Sequence, residues 1–252
     1  MDLSVTTIAL CAGAAFVAGL IDAIAGGGGL ISLPALLTAG LPPHIALGTN
    51  KAQSSFGTLS ALIQYTRAGL VDRRRARWTF PLGFVGSLGG AALVMLLRPE
   101  SLRPLVLVLL VCVAAFLAFR PPVAHPEGHP PPRGAAWWSA LIAAGAGLYD
   151  GFFGPGTGTF LIVALVGLVG LTLTRATADA KVINFGSNVG ALVIFASRGV
   201  TLWRLAVPMA AASMTGAYIG AHLAMRGGDR AIRYVVLAVV AALAIKQAYA
   251  LY

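Results

Sequence analysis

The sequence predicts an all-α polytopic membrane protein made of two repeated halves, each with a glycine-rich broken or re-entrant helix. Of its 252 residues, 58% are hydrophobic and 10% are charged, with a mean hydropathy of +0.85. A soluble domain carries about 25% charged residues. Apolar runs of the ~20 residues that cross a bilayer follow one another along the chain. Two glycine-rich stretches, 22–30 and 150–158, lie 128 residues apart.

The apolar runs occur in the same order in both halves. A span, a short run, a span with polar insertions and two further spans make up residues 5–119 and again residues 135–251. The two short runs, 30–40 and 159–173, are too short to cross and are predicted as half-helices or re-entrant segments. The whole chain, 1–252, is therefore predicted to be a single membrane domain with an internal repeat. About eight full spans are expected, at 5–25, 45–66, 78–97, 103–119, 135–153, 176–197, 201–225 and 231–251.

The connecting segments predict how the two halves are oriented. Residues 120–134 contain six of the fourteen prolines, and a proline-rich segment is a semi-rigid linker. If the halves are inverted, loop 67–77, this linker and loop 226–233 share one side with ten arginines, and loops 98–103 and 198–204 face the other with four. A parallel arrangement divides the arginines nine to five. Because cytoplasmic loops are enriched in basic residues, the inverted arrangement is favoured.

The net charge of +10 indicates contact with lipid headgroups rather than nucleic acid, because the basic residues are dispersed over short loops. Cys11 and Cys112 lie within apolar runs and form no CxxC or Cys/His cluster, so neither a disulfide framework nor a metal site is predicted. The sequence has no nucleophile elbow, P-loop or HExxH motif. We therefore expect no enzymatic activity and no cofactor.

The glycine-rich breaks are the first candidate binding elements. Irregular backbone at membrane depth is tolerated only where protein or a water-filled cavity surrounds it. A helix that begins after such a break presents free N–H groups and its positive dipole end to an anion. Broken helices at corresponding positions of two halves indicate a transporter's binding site, although a tight helix crossing or a hairpin turn is the alternative. The glycines are Gly26, Gly27, Gly28 and Gly29 in the first break and Gly154, Gly156 and Gly158 in the second.

Polar residues within span-length segments are the second candidate. Lys51 follows Asn50 in one half, and Lys181 shares a helix face with Asn184 and Asn188 in the other. A lysine at the centre of a transmembrane helix costs ~2.5–3.5 kcal/mol on insertion scales. We expect these residues to line a polar cavity; the alternative is that each lysine extends along its stem to the interface.

Asp22 and Asp150 each end a span just before a break. Such a carboxylate could carry a coupling proton or pair with a lysine. It could equally cap backbone N–H groups in the break. The sequence leaves these roles open.

Several of these motifs together resemble the TauE/SafE family of sulfite-exporter-like bacterial permeases. They are residues 22–34, the stretch Ala46-Leu47-Gly48-Thr49-Asn50-Lys51, Gly154-x-Gly156-x-Gly158 with the following Thr159-Phe160-Leu161, and residues 176–184. The resemblance covers nearly the whole chain. It implies a secondary transporter in the cytoplasmic membrane that moves a sulfur-containing anion such as sulfite, thiosulfate or an organosulfonate.

The combined expectation is a permease that works by alternating access. The anion would bind between the two breaks, with Lys51 and Lys181 neutralising it, the asparagines donating hydrogen bonds, and Asp22 or Asp150 able to couple a proton. The alternatives are a carrier or channel for a carboxylate or a metal cation, and a membrane assembly subunit without transport. Neither the oligomeric state nor the direction of transport is predicted.

Overall fold

The computed structural model describes residues 4–119 and 134–250, and all regular structure within these ranges is α-helical. Residues 120–133, which make up nearly all of the predicted linker, lie outside the described part. The helices, in chain order, are α1 (Val5–Ala25), α2 (Gly29–Thr38), α3 (Pro43–Arg67), α4 (Arg73–Val94), α5 (Pro99–Phe119), α6 (Ala135–Phe152), α7 (Thr157–Val169), α8 (Leu173–Ser197) and α9 (Trp203–Ala250).

Both predicted breaks are present. The chain leaves α1 through Gly26 and Gly27, whose φ angles are 70° and 103°, and it leaves α6 through Gly154 and Gly156, with φ angles of 97° and 84°. Residues with a Cβ rarely adopt this left-handed region, whereas glycine does so at little cost. The glycines therefore let two helices end and two short helices, α2 and α7, begin within three or four residues.

The end of the chain differs from the prediction. Residues 226–233 are not a loop between two spans, because α9 continues through them as one helix. At the corresponding connection in the first half, α4 ends at Val94 and Pro99 starts a new helix, α5. Proline suits the first position of a helix, because its missing N–H would have no intrahelical acceptor there. The second half has Gly227 and Gly228 instead. Glycine keeps its N–H, and its cost of about 1 kcal/mol is too small to end a helix.

The predicted basic loop 67–77 is also shorter than expected. Helix α4 begins at Arg73, and the Asp72 carboxylate accepts hydrogen bonds from the N–H groups of Arg74 and Arg75 at 2.9 and 3.1 Å. Aspartate is a preferred N-cap because it satisfies donors that the first turn leaves free. Most of this arginine cluster therefore belongs to the first turns of a helix.

Individual helices differ in their capacity to cross a membrane. Of the described helices, α1 and α8 are each long and apolar enough, whereas α4 and α5 qualify only as a pair that bends by 115°. The apolar helices α2 and α7 have 10 and 13 residues, which is less than a bilayer requires. The count of eight full spans stays a prediction.

Several large apolar side chains are exposed, whereas two lysines are buried. Leu10, Val85 and Val207 are more than 60% exposed, whereas Lys51 and Lys181 are at most 2% exposed. A soluble protein has the opposite distribution, since lysine is almost never fully buried there unless it is paired. The described helices thus enclose a polar centre within an apolar exterior.

Corresponding helices of the two halves make corresponding contacts with the other half. Helix α1 packs mainly against α9 and α6 against α4, while α3 packs against α9 and α4 against α8. The crossings depend on glycines, because a Cβ there would lie 2.0–2.4 Å from a backbone oxygen of the partner helix. The pairs are Gly86 with Ala144, Gly90 with Leu148, Gly216 with Phe16 and Gly220 with Leu20. The first two pairs correspond to the last two through shifts of 130 and 128 residues.

Two hydrogen bonds set the relative direction of α3 and α8. The N–H of Leu202, at the start of α9, donates to Thr49 Oγ1 near the start of α3 at 3.0 Å. The N–H of Asp72, at the start of α4, donates to Asp179 Oδ1 near the start of α8 at 3.0 Å. Since α4 follows α3 and α9 follows α8, each of α3 and α8 begins where the other ends. The two helices run in opposite directions.

A pair of adjacent glycines tests the close crossing of α4 and α6. Gly90→Ala would place its Cβ 2.0 Å from the Leu148 carbonyl oxygen, so we expect a loss of about 1–3 kcal/mol from overpacking. Gly89→Ala is the matched control, because its Cβ would meet only Leu148 Cδ1 at 3.6 Å. Thermal unfolding in detergent should show a lower midpoint for Gly90→Ala only. Equal midpoints for the two variants would contradict the crossing.

Candidate functional site

The two breaks meet at the centre of the described helices. A Cβ on Gly26 would lie 2.2 Å from the carbonyl carbon of Gly158, so glycine is required for the two backbones to come this close. Thr159 Oγ1 lies 3.0 Å from the carbonyl oxygens of both Ala25 and Gly26 and donates to them. The structure therefore brings the two predicted breaks into direct contact.

Both short helices begin at this contact. Helix α2 starts at Gly29 and α7 at Thr157, and these residues line the same cavity. The first N–H groups of a helix have no intrahelical acceptor and carry the positive end of the helix dipole. Two helix N-termini, one from each half, thus border one space, which is an arrangement that favours an anion.

Two ion pairs cross between the halves beside the breaks. Lys51 Nζ on α3 lies 2.7 Å from Asp150 Oδ1 on α6, and Lys181 Nζ on α8 lies 2.8 Å from Asp22 Oδ2 on α1. The side chains of Lys51, Asp150 and Lys181 are at most 3% exposed, whereas that of Asp22 is 20% exposed. Each lysine is therefore neutralised by an aspartate of the other half, and the two pairs together carry no net charge.

Further hydrogen bonds satisfy the paired charges. Lys51 Nζ also donates to Asn188 Oδ1 at 3.2 Å, and Asn188 Nδ2 donates to Thr58 Oγ1 at 3.2 Å. Ser187 Oγ donates to Asp150 Oδ2 at 2.5 Å, and Lys181 Nζ donates to the backbone carbonyl of Asp22. A buried ion pair is tolerated when such bonds satisfy its remaining donors and acceptors.

Asn50 belongs to a second polar group, between α2 and α3. Its Oδ1 accepts hydrogen bonds from Ser32 Oγ at 2.6 Å and from Gln53 Nε2 at 3.0 Å. Gln53 is 1% exposed, and its Oε1 has no hydrogen-bond partner among the described residues. A buried amide oxygen without a partner costs about 1–3 kcal/mol, so this acceptor is available to a hydrogen-bond donor such as water.

The cavity between these groups is small and mainly polar. Its volume is about 30 Å³, which holds one or two water molecules. All of the predicted site residues line it except Gly26, which is covered by Gly158, and Lys181, which is enclosed beside Asp22. An anion larger than water therefore requires the surrounding helices to move apart.

Some lining residues were not predicted. Thr58 lies two turns after Lys51 on the same face of α3, so helical spacing could have indicated it. Thr157 is the first residue of α7, but the sequence alone does not locate that start. Ser213 comes from α9, where a single serine in an apolar run carries no distinguishing signal.

A double substitution tests the Lys51–Asp150 pair. Lys51→Met leaves the Asp150 carboxylate buried without its cation, and Asp150→Asn leaves the lysine without its anion, so each single change should cost ~3–5 kcal/mol. Lys51→Met combined with Asp150→Asn removes both charges and should recover most of that loss. Thermal unfolding of the four proteins in detergent measures the coupling. Additive losses in the double variant would show that the two side chains do not interact.

Comparison with known proteins shows a match along nearly the whole chain. The family model described as sulfite exporter TauE/SafE matches residues 11–247. A probable membrane transporter protein from a Sinorhizobium species is 38% identical over 245 residues, covering 97% of this chain and 94% of that protein. The probable membrane transporter protein YfcA of Escherichia coli K12 is 38% identical over 236 residues, covering 93% and 87%. No solved structure matches.

Proposed function

Because the chain belongs to the TauE/SafE family of membrane transporters, we propose that it is a secondary transporter for a small sulfur-containing anion, such as sulfite, thiosulfate or an organosulfonate, in the bacterial cytoplasmic membrane. The contact between the two glycine breaks carries this proposal. It encloses a polar cavity between two helix N-termini and two ion pairs that link the halves. The family supplies the expectation of a sulfur-containing solute.

The bound anion would interact with backbone and side-chain donors from both halves. Helices α2 and α7 would present the positive ends of their dipoles to it, and the amide of Asn184 lines the same cavity. Lys51 is the lysine that reaches the cavity, whereas Lys181 acts through Asp22. This assignment differs from the symmetrical role that the sequence predicted for the two lysines.

The balanced charge of the site supports coupling to a proton. Two lysines face two aspartates, so an added anion leaves an excess negative charge in a low-dielectric environment. Protonation of one aspartate removes that excess. Both aspartates line the cavity, and Asp22 is the better candidate because it is the more exposed of the two. We propose that the anion and a proton move in the same direction.

Alternating access would use the two halves as an inverted repeat, in which residues 5–119 correspond to residues 135–251. The opposite directions of α3 and α8 and the matching glycine crossings support this arrangement. The two breaks would stay at the centre while α4 and α9 change their packing against the other half. Transporters with inverted repeats place their substrate at such an interface.

Flux through the purified chain in proteoliposomes tests the proposal. We expect thiosulfate, sulfite, taurine or sulfoacetate to cross faster than in protein-free liposomes. Lys51→Met combined with Asp150→Asn removes charge without leaving an unpaired ion, and it should reduce flux at least about tenfold because binding to charged groups is lost. Gln64→Leu, on the same helix but outside the cavity, should retain flux. A folded wild-type chain without flux of any of these solutes would overturn the proposal.

A pH-sensitive dye in the liposome lumen tests the coupling. Inward movement of sulfoacetate, which stays fully ionised near neutral pH, should acidify the lumen if a proton accompanies it. Asp22→Asn combined with Lys181→Met cannot take up the proton and leaves no buried charge unpaired, so we expect flux without acidification from this double variant. Asp72→Asn is the control, because Asp72 lies outside the cavity and asparagine is an equally good N-cap. Acidification that persists in the double variant would exclude Asp22 as the proton carrier.

A further inference from the structure

An open apolar groove lies outside the central site, between α3, α4 and the first turns of α8. Its volume is about 420 Å³. The walls include Leu62 from α3, Phe80 and Pro81 from α4, and Val182 from α8. In a membrane protein such an outer groove has the dimensions and polarity to hold part of a lipid acyl chain.

Two arginines stand on the wall of this groove. Arg73 and Arg77 are exposed and lie four residues apart, so they share one face of α4. Neither forms an ion pair within the described part of the chain. Arg75, two residues from each, pairs instead with Asp72 and Asp179 on the other side of the helix. The groove therefore combines an apolar wall with two positive charges that have no protein partner of opposite sign.

The position of these arginines along the helices fits a headgroup rather than the acyl region. The groove lies where α3 ends and where α4 and α8 begin. Trp78, directly after Arg77, is 69% exposed, and exposed tryptophan is typical of the membrane–water interface. Arginines at this level are placed to contact phosphate groups, while the apolar wall extends toward the hydrocarbon.

We propose that this groove is a binding site for an anionic phospholipid. One acyl chain lies along Leu62, Phe80 and Val182, and the phosphodiester accepts hydrogen bonds from the guanidinium groups of Arg73 and Arg77. Guanidinium groups suit this role because their planar donors match phosphate oxygens in a bidentate geometry. A lipid bound there contacts both halves, since α3 and α4 belong to one and α8 to the other.

Native mass spectrometry of the detergent-solubilised full chain tests the site. We expect more bound phosphatidylglycerol than phosphatidylcholine with the same acyl chains. Arg73→Gln combined with Arg77→Gln should lower the apparent affinity for phosphatidylglycerol at least about tenfold, because each basic residue near a membrane surface contributes to anionic lipid binding. Arg74→Gln is the matched control, as Arg74 is exposed on the same turn but does not line the groove.

A second comparison separates a lipid site from a simple anion site. Glycerophosphoglycerol, which has the headgroup but no acyl chain, should not compete with phosphatidylglycerol. Effective competition by this soluble headgroup would show an anion site instead and overturn the proposal. So would equal losses in Arg74→Gln and in the double variant, or equal binding of the two lipids. None of these measurements depends on transport.

Discussion

The exchange of charges between the halves is the interaction on which the rest of the structure depends. Lysines on α3 and α8 cost too much to bury alone, and each finds its aspartate on a helix of the other half, α6 or α1. Neither half could therefore bury its own lysine without the other. The glycine-lined crossings serve the same arrangement, because they bring α1 against α9 and α6 against α4 closely enough for the charges to meet.

Glycine acts in two physically different ways around this centre. In the breaks, Gly26 and Gly154 adopt backbone angles that a side chain disfavours, and they let a helix stop at depth. In the crossings, Gly90 and Gly220 are ordinary helical residues whose missing Cβ leaves room for a neighbouring carbonyl oxygen. The first use creates a place for a solute, and the second sets the rigid frame around it.

Much of this architecture could be predicted from the sequence because lipid imposes strong rules. Apolar length located the helices, and the unusual cost of four successive glycines and of two lysines in apolar segments located the centre. What could not be predicted depended on contacts between distant residues. Nothing in their spacing required Lys51 to pair with Asp150 rather than with Asp22, and the buried, unpaired oxygen of Gln53 is a product of packing. The continuity of α9 differs from the predicted loop 226–233, because the residues between the two apolar runs keep the backbone N–H groups that a helix needs.

At each end of the helix pair α3 and α8, a backbone N–H donates a hydrogen bond to a side chain, but the two acceptors differ. At one end a neutral hydroxyl, Thr49, receives the N–H of Leu202; at the other a carboxylate, Asp179, receives the N–H of Asp72 and also binds Arg75. A hydrogen bond to a carboxylate is stronger than one to a hydroxyl, and the strength of the carboxylate–arginine ion pair varies with ionic strength. Breaking the contact between α4 and Asp179 therefore takes more work than breaking the contact between α9 and Thr49. Under the proposed alternating access, the end of the helix pair held by Asp179 would therefore open less readily than the end held by Thr49.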